Sequence, residues 1–221
     1  MAAMALDLER AGARLLGAIP TVALAADFVS AAAERSALAQ LAASPRWHAV
    51  AGRRVQAFGG AVVRRSLIPA PLPSWLAPLA ERVAAALGGA LGGAVNHVLA
   101  NAYAEGEGIL PHEDGPVYAP VVAILSLGSP AVMRFRRKAD GAAAPPALSV
   151  VLPPRSLLVF ADDAYRDCLH GIDAAAEEAL DASVANAGAG GAAPGEALRR
   201  SGERVSLTFR RVLAVHKLRV A

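Results

Sequence analysis

The rhythm of apolar and polar positions changes near residue 96. Before that point the periods are mostly helical. Ser30 stands where a helix cap belongs, ahead of a run to about Ala43 with Glu34 in its first turns and Leu38 and Leu41 on an apolar side. A second helix is expected to start at Pro73-Ser74; Leu76, Leu79, Val83 and Leu87 recur at helical spacing, and Gly88-Gly89 ends it. Between them lies the strand-like, basic piece Arg53 to Gly60. Gly88-Gly89 and Gly92-Gly93 have no Lys-Ser or Lys-Thr after them, so they read as a connector and not as a phosphate loop.

From residue 96 onward the pattern is short strands separated by turns. His97 to Tyr103, Val121 to Leu127, Ala131 to Arg136, Leu148 to Leu152 and Ser156 to Phe160 are expected strands. One more is expected near Tyr165 to His170, and a last one from Arg204 to about Val215. This spacing favours a β-sandwich or a barrel equally. Lys138 to Pro146 and the stretch from Asp173 to about Gly195 interrupt it. The second is Ala/Gly-rich, with Glu177, Glu178 and Asp181 and no basic residue; both read as surface insertions, the second mobile with a start that could be helical.

Composition narrows the classes. The chain has 221 residues, enough for one domain, and is 55% hydrophobic, much of it alanine. Its net charge of +3 points only weakly to an anionic partner. A single cysteine, Cys168, excludes an internal disulfide and suits a reducing compartment. Leu15 to Ala26 is too short to span a membrane and holds Pro20. Asp7 and Glu9 fall early and no basic stretch precedes a clean apolar run, so no secretory signal is expected.

The candidate chemistry sits after the turn Glu105 to Gly108. His112 and Asp114 are two apart, so on an extended strand an imidazole and a carboxylate face one side. His170 is a candidate third ligand, and two His with one carboxylate form the open-sided ligand set of non-haem Fe(II) oxygenases. Asn101 and Tyr103 share a face of the preceding strand; they need a polar partner if inward and none if the face is exposed. The last strand alternates strictly, with Val205, Leu207 and Phe209 on one face and Arg204, Ser206, Thr208 and Arg210 on the other. Two guanidinium groups on a strand face suit solvent, or equally a cavity with an anionic occupant; alternation does not decide.

These runs together carry a resemblance. Asn101-x-Tyr103-x-x-Gly106-x-Gly108-Ile109-x-x-His112-x-Asp114, the later His170, and Arg204-x-Ser206-x-Thr208-x-Arg210 resemble the AlkB-type 2-oxoglutarate-dependent dioxygenases. Arg54-x-Gln56 with Gly59-Gly60, Asn96 to Leu99, Pro111 to Pro116, Pro154 to Val159 and Leu169 to Ile172 are similar to the branch of the sixth AlkB homologue, from about Leu15 to Val215. The resemblance implies a mainly β chain with N-terminal helices, a double-stranded β-helix (jelly-roll, cupin-like) core. It implies a single dioxygenase domain over 1–221: 1–95 as helical support and lid, 96–215 as the jelly-roll core, and an insert at 173–200. It implies Fe(II) held by His112, Asp114 and His170, and 2-oxoglutarate contacted by Asn101 and Tyr103 and paired through its distal carboxylate with Arg204. Arg210 would lie near the iron-chelating carboxylate and Asp114, with Ser206 where many relatives carry Asn. O2 would complete the reaction.

The implied activity is oxidative demethylation of alkylated nucleobases in DNA or RNA, presented as a single strand or a flipped base. It would give succinate, CO2 and formaldehyde, in the nucleus or the cytoplasm, with no membrane and no obligate protein partner. Candidate nucleic-acid contacts are Arg53, Arg54, Phe58, Arg64 and Arg65, with Arg134, Arg136, Arg137 and Lys138, and Tyr118, Trp47 or Trp75 for stacking. A solvated basic face and core aromatics are the plainer readings. Two alternatives stay open: the same iron chemistry on a protein side chain, and a non-catalytic nucleic-acid-binding relative.

Overall fold

The computed structural model describes residues 12–141 and 143–216, so Asp7 and Glu9 lie outside the described residues. Eight strands build the centre: β7 (His97–Tyr103), β8 (Ile109–His112), β9 (Val121–Gly128), β10 (Ala131–Arg137), β11 (Leu148–Leu152), β12 (Leu157–Ala161), β13 (Cys168–Ile172) and β16 (Arg204–Arg210). The chain passes back and forth between two antiparallel sheets. β12-β9-β16-β7 run side by side in the larger one and β11-β10-β13-β8 in the smaller, a jelly-roll winding. The large sheet is widened by β2 (Val22–Ala25) and β1 (Ala13–Leu15) beyond β12, and by β4 (Arg53–Phe58) and β3 (His48–Val50) beyond β7. Two separate ribbons pair β5 (Gly60–Val63) with β6 (Ser66–Pro69), and β14 (Glu177–Ala179) with β15 (Ala197–Arg199).

Both faces of the large sheet are covered, which is why β9 and β12 read as unbroken apolar runs. Val121, Ala123, Leu125 and Leu127 share one core with Leu157, Val159, Val205, Leu207 and Phe209. Helices α1 (Ala31–Ala42) and α2 (Ala77–Ala86) supply Leu41 and Val83 to it. Val122, Ile124, Leu158 and Phe160 face the other way, toward Met133, Phe135, Val150 and Leu152 of the small sheet. Ser30 caps α1 as expected, accepting the Ala33 N–H at 3.2 Å. Glu34 does more than favour the helix start: its Oε1 accepts the Gly128 N–H at 3.0 Å, tying α1 to the β9–β10 turn.

Several boundaries differ from the sequence expectation. α2 begins at Ala77, because Pro73 first directs a turn in which the Leu76 and Ala77 N–H groups both donate to its carbonyl. Residues Asp162–Arg166 are a short helix, α3, and not the start of a strand; the Ala164 N–H donates to Thr21 Oγ1, and β13 begins only at Cys168. β16 ends at Arg210, after which Val212 and Val215 make single bridges to Tyr118 and Leu67. The start of the 173–200 insert is strand β14, not a helix. Leu180 and Leu198 pack with Val132 and Val151 on the outer face of the small sheet.

A buried ionic cluster fastens this insert. Glu178 accepts the Val132 N–H and lies 3.8 Å from both Arg134 and Arg200, while Arg134 also donates to Asp173 at 2.6 Å. Burial pushes the Glu178 carboxyl up, against the Val132 N–H and the two guanidinium groups that hold it down. Arg200 donates to the carbonyls of Asp173, Ala175 and Glu107, so one buried guanidinium joins the exit of β13 to the β7–β8 turn. α3 lies between β12 and β13, and among the described residues no helix is long and apolar enough to cross a membrane.

Replacing Arg200 by Met should cost about 3 kcal/mol of stability, because three carbonyls lose their donor and a buried carboxylate loses one of its two neighbouring positive charges. Urea unfolding checks this, and a loss below about 1 kcal/mol, the scale of a surface pair, would contradict the clamp. A second expectation concerns His97, buried on β7, whose pKa falls from 6.5 to about 4 through burial first and Arg210 second. Its neutral form is favoured in the fold, so its contribution is complete above pH 6.5 and is lost as pH falls toward 4. His97→Gln should flatten the fall in stability across that window, and an unchanged slope would contradict the assignment.

Candidate active site

The polar face of β16 turns inward, between the sheets. Register sets what it meets: Arg204 pairs with Tyr103, Ser206 with Asn101 and Arg210 with His97 on β7. On the small sheet His170 of β13 lies directly opposite His112 of β8. That approach requires glycine at two places. A Cβ on Gly171 would meet the Ile109 carbonyl at 2.8 Å, and one on Gly108 would meet the Ile172 carbonyl at 2.3 Å. His112, Asp114, His170, Asn101, Tyr103, Arg204, Ser206, Arg210 and Arg53 therefore line one cavity.

The two imidazoles lie against each other on the wall of the cavity. The ring centroids of His112 and His170 are 4.3 Å apart, and His170 is backed by Phe160 at 4.8 Å. Burial pulls His170 down to about 3, with His112 and Arg210 adding to it and Asp114 opposing. His112 Nδ1 is 2.9 Å from the Leu110 carbonyl, which can only accept, so Nδ1 carries the proton and Nε2 keeps its lone pair. Asp114 Oδ1 accepts from Arg210 Nη1, while its Oδ2 is buried without a partner. Arg210 lies 4.2 Å over the Tyr118 ring. Next to Asp114, the Tyr165 hydroxyl donates to the Gly115 carbonyl at 3.0 Å; burial first, then Asp114, pushes that phenol up to about 12.

Among the described residues, no three His, Cys, Asp or Glu side chains are closed around a common point. The two rings touch each other and one Asp114 oxygen is turned to Arg210. The donor set nevertheless fits a divalent transition-metal ion: two imidazoles, of which His170 is kept neutral by burial, and a carboxylate with one buried oxygen free of any partner among the described residues.

The opposite wall fits an anion. Arg204 is 1% exposed, donates from Nη2 to Ser126 Oγ at 3.0 Å and lies 5.3 Å over the Tyr103 ring. Its Nε and Nη1 have no hydrogen-bond partner among the described residues. Burial opposes its charge, as it opposes ionisation of Tyr103. A carboxylate is the group that answers two unpaired N–H donors on one buried guanidinium.

Other expected contacts lie elsewhere. Phe58 belongs to the helix-side core, edge-on to Trp75 at 5.8 Å, and so is not a stacking surface. Arg54 alternates away from the cavity, pairs with Glu203 and covers Trp47 at 5.3 Å. The Trp47 indole N–H donates to the Leu41 carbonyl. Arg134 is buried in the insert cluster, Arg136 donates to the Ala144 carbonyl, and Lys138 pairs with Glu113. Tyr118 lies beside Arg210 and His97 and does not line the cavity. Arg64 and Arg65 form the β5–β6 turn, both in the left-handed region at φ 48° and 71°. Thr208, on the polar face expected of β16, lines the cavity too, whereas the apolar wall of Leu99, Ile109, Ile124, Met133 and Ile172 was not foreseen from the sequence. Strand alternation carries that signal only once the facing sheet is known.

Comparison with known proteins agrees with this geometry. The family model described as the 2OG-Fe(II) oxygenase superfamily matches residues 61–210. A zebrafish (Danio rerio) protein named probable RNA/DNA demethylase ALKBH6 is 41% identical over 203 residues, 87% of this chain and 86% of its own. An uncharacterized protein, L905, of Acanthamoeba polyphaga mimivirus is 32% identical over 119 residues, 53% of this chain and 49% of its own. The fold is similar to the structure of OsALKBH1, with a TM-score of 0.60 and 14% identity over 90% of this chain and all of that one. It is also similar to a Pseudomonas putida prolyl-4-hydroxylase, with a TM-score of 0.54 and 18% identity over 94% of this chain and 99% of that one. A cavity with two imidazoles and a carboxylate on one wall, and a buried guanidinium on the other, thus sits in a chain that belongs to the 2OG-Fe(II) oxygenase superfamily.

Proposed function

We propose that this chain demethylates alkylated nucleobases of DNA or RNA, using Fe(II), 2-oxoglutarate and O2. The observation that carries the reading is Arg204, a buried guanidinium with two unpaired nitrogens in the cavity that His112, Asp114 and His170 also line. The 41% identical zebrafish relative, named a probable RNA/DNA demethylase, supports a nucleic acid as substrate. When bound, Fe(II) with the co-substrate and O2 supplies an oxidation that decarboxylates 2-oxoglutarate to succinate and hydroxylates an N-methyl carbon, which then leaves as formaldehyde.

The chain's own residues have separable tasks. His112 through Nε2, His170, and Asp114 through Oδ2 would hold the metal. Arg210 keeps Asp114 in place through the other oxygen, and Leu110 fixes the His112 tautomer. Arg204 would pair with the distal carboxylate of the dicarboxylate, with Ser126 bracing it and Asn101, Tyr103 and Ser206 beside it. Leu99, Ile109, Ile124, Met133 and Ile172 keep the remaining wall dry. A target base has to leave its stack to reach this cavity, and Arg64, Arg65 and Arg137 are exposed basic groups available to phosphates.

Anaerobic loading with Fe(II), followed by 2-oxoglutarate and O2, should yield succinate. His112→Ala or Asp114→Ala should lower that yield at least about 100-fold, the upper end of what losing a mere outer partner costs. A wild type that makes no succinate would sink the enzymatic reading. Methylated DNA and RNA oligonucleotides should release formaldehyde where methylated peptides do not. Turnover of peptides alone would move the substrate to protein, and salt-dependent binding of single strands without turnover would leave a binding protein.

A further inference from the structure

Arg53 is not occupied as an exposed basic contact would be. It lines the cavity from β4, and its Nε donates to Asn101 Oδ1 at 3.0 Å. A guanidinium has only donors, so the Asn101 atom facing it has to be the amide oxygen. The Nδ2–H2 end of the same amide is thereby the end left for the cavity, on a side chain that is 6% exposed and sits opposite Ser206. Arg53 is itself braced: its Nη1 lies 3.4 Å from the Ala51 carbonyl. The β3–β4 turn there is pressed so closely on the β7–β8 turn that a Cβ on Gly52 would meet the Gly108 carbonyl at 2.8 Å.

An unbraced amide can present either end to the cavity. Its oxygen would repel a carboxylate and its nitrogen would donate to it. Arg53 removes that ambiguity and adds a second positive charge on the side of Arg204; both guanidiniums act against the upward push of burial on the Tyr103 phenol. We infer that Arg53 is a positioning residue for the dicarboxylate co-substrate, holding the Asn101 amide in the one orientation that offers N–H donors to a carboxylate. The inference rests on the reading above, in which this cavity takes 2-oxoglutarate.

Calorimetric titration of 2-oxoglutarate into the Mn(II)-loaded full chain tests it, with single-stranded DNA binding measured in parallel. Arg53→Met and Asn101→Ala should each weaken 2-oxoglutarate about tenfold, the scale of one hydrogen bond to a charged group. The double variant should bind more tightly than the product of the two single losses would give, Arg53→Lys should recover part of the affinity, and single-stranded DNA affinity of Arg53→Met should match the wild type. Unchanged 2-oxoglutarate affinity in Arg53→Met would overturn the inference, as would multiplicative losses in the double variant. So would a loss confined to DNA binding, which would return Arg53 to the nucleic acid. A wild type that binds no 2-oxoglutarate would instead remove the reading of the cavity itself.

Discussion

A guanidinium shut between two sheets is the constraint on which the rest depends. Burying a charge without a partner is costly, and Arg204 has a single side-chain hydrogen bond, to Ser126, with two nitrogens unanswered. A chain that only needed to fold would gain from an apolar residue there, in the cavity that Ile124 and Met133 also line. The same strand carries Arg210, whose charge is answered by Asp114, so β16 brings one satisfied and one unsatisfied cation into the same space. Arg53 adds a third guanidinium to a cavity with a single carboxylate. The imbalance is electrostatic, and an anion in the cavity relieves it.

What makes room for such a face is the division of labour across the large sheet. Its helix-facing side is sealed with Leu125, Leu127, Leu207 and Phe209 against α1 and α2, and that core supplies much of the hydrophobic stabilisation. Its other side is apolar toward β12, where Phe160 meets Phe135, and polar toward β16 and β7. The two histidines come from the small sheet, pressed together by glycine at Gly171 and Gly108. Arg200 joins the turn after β7 to the exit of β13, so the strands bearing Tyr103 and His170 are fastened at one corner. The insert is thus part of the scaffold behind the site, on the outer face of the small sheet.

The sequence was most legible where a strand is buried on both faces or bounded by strong turns: β7 and β11 have the bounds that their patterns imply. It was least legible where alternation is clear but the facing partner is unknown. Arg204 to Arg210 alternate perfectly, yet only the position of β16 between β7 and β9 turns the polar side inward. The same ambiguity made Phe58, Arg54 and Arg53 look alike as basic-aromatic surface. They sit on β4 with Phe58 in the core, Arg54 paired with Glu203, and Arg53 on the cavity side. In the 173–200 segment Ala and Gly conceal the two residues that matter, since Glu178 finds partners on β10 and Arg200 reaches the distant β7–β8 turn. The role of Tyr165 is not legible in the sequence, because its hydrogen bond to Gly115 joins positions fifty residues apart.

Arg204 is the group whose charge an anionic dicarboxylate would complete. Titrating 2-oxoglutarate anaerobically into the Fe(II)-loaded protein, beside Arg204→Met, decides this. One site per chain in the wild type and an affinity at least about 100-fold weaker in the variant are expected, as for any buried charge pair that loses one member. Equal affinity in the two proteins would contradict the account.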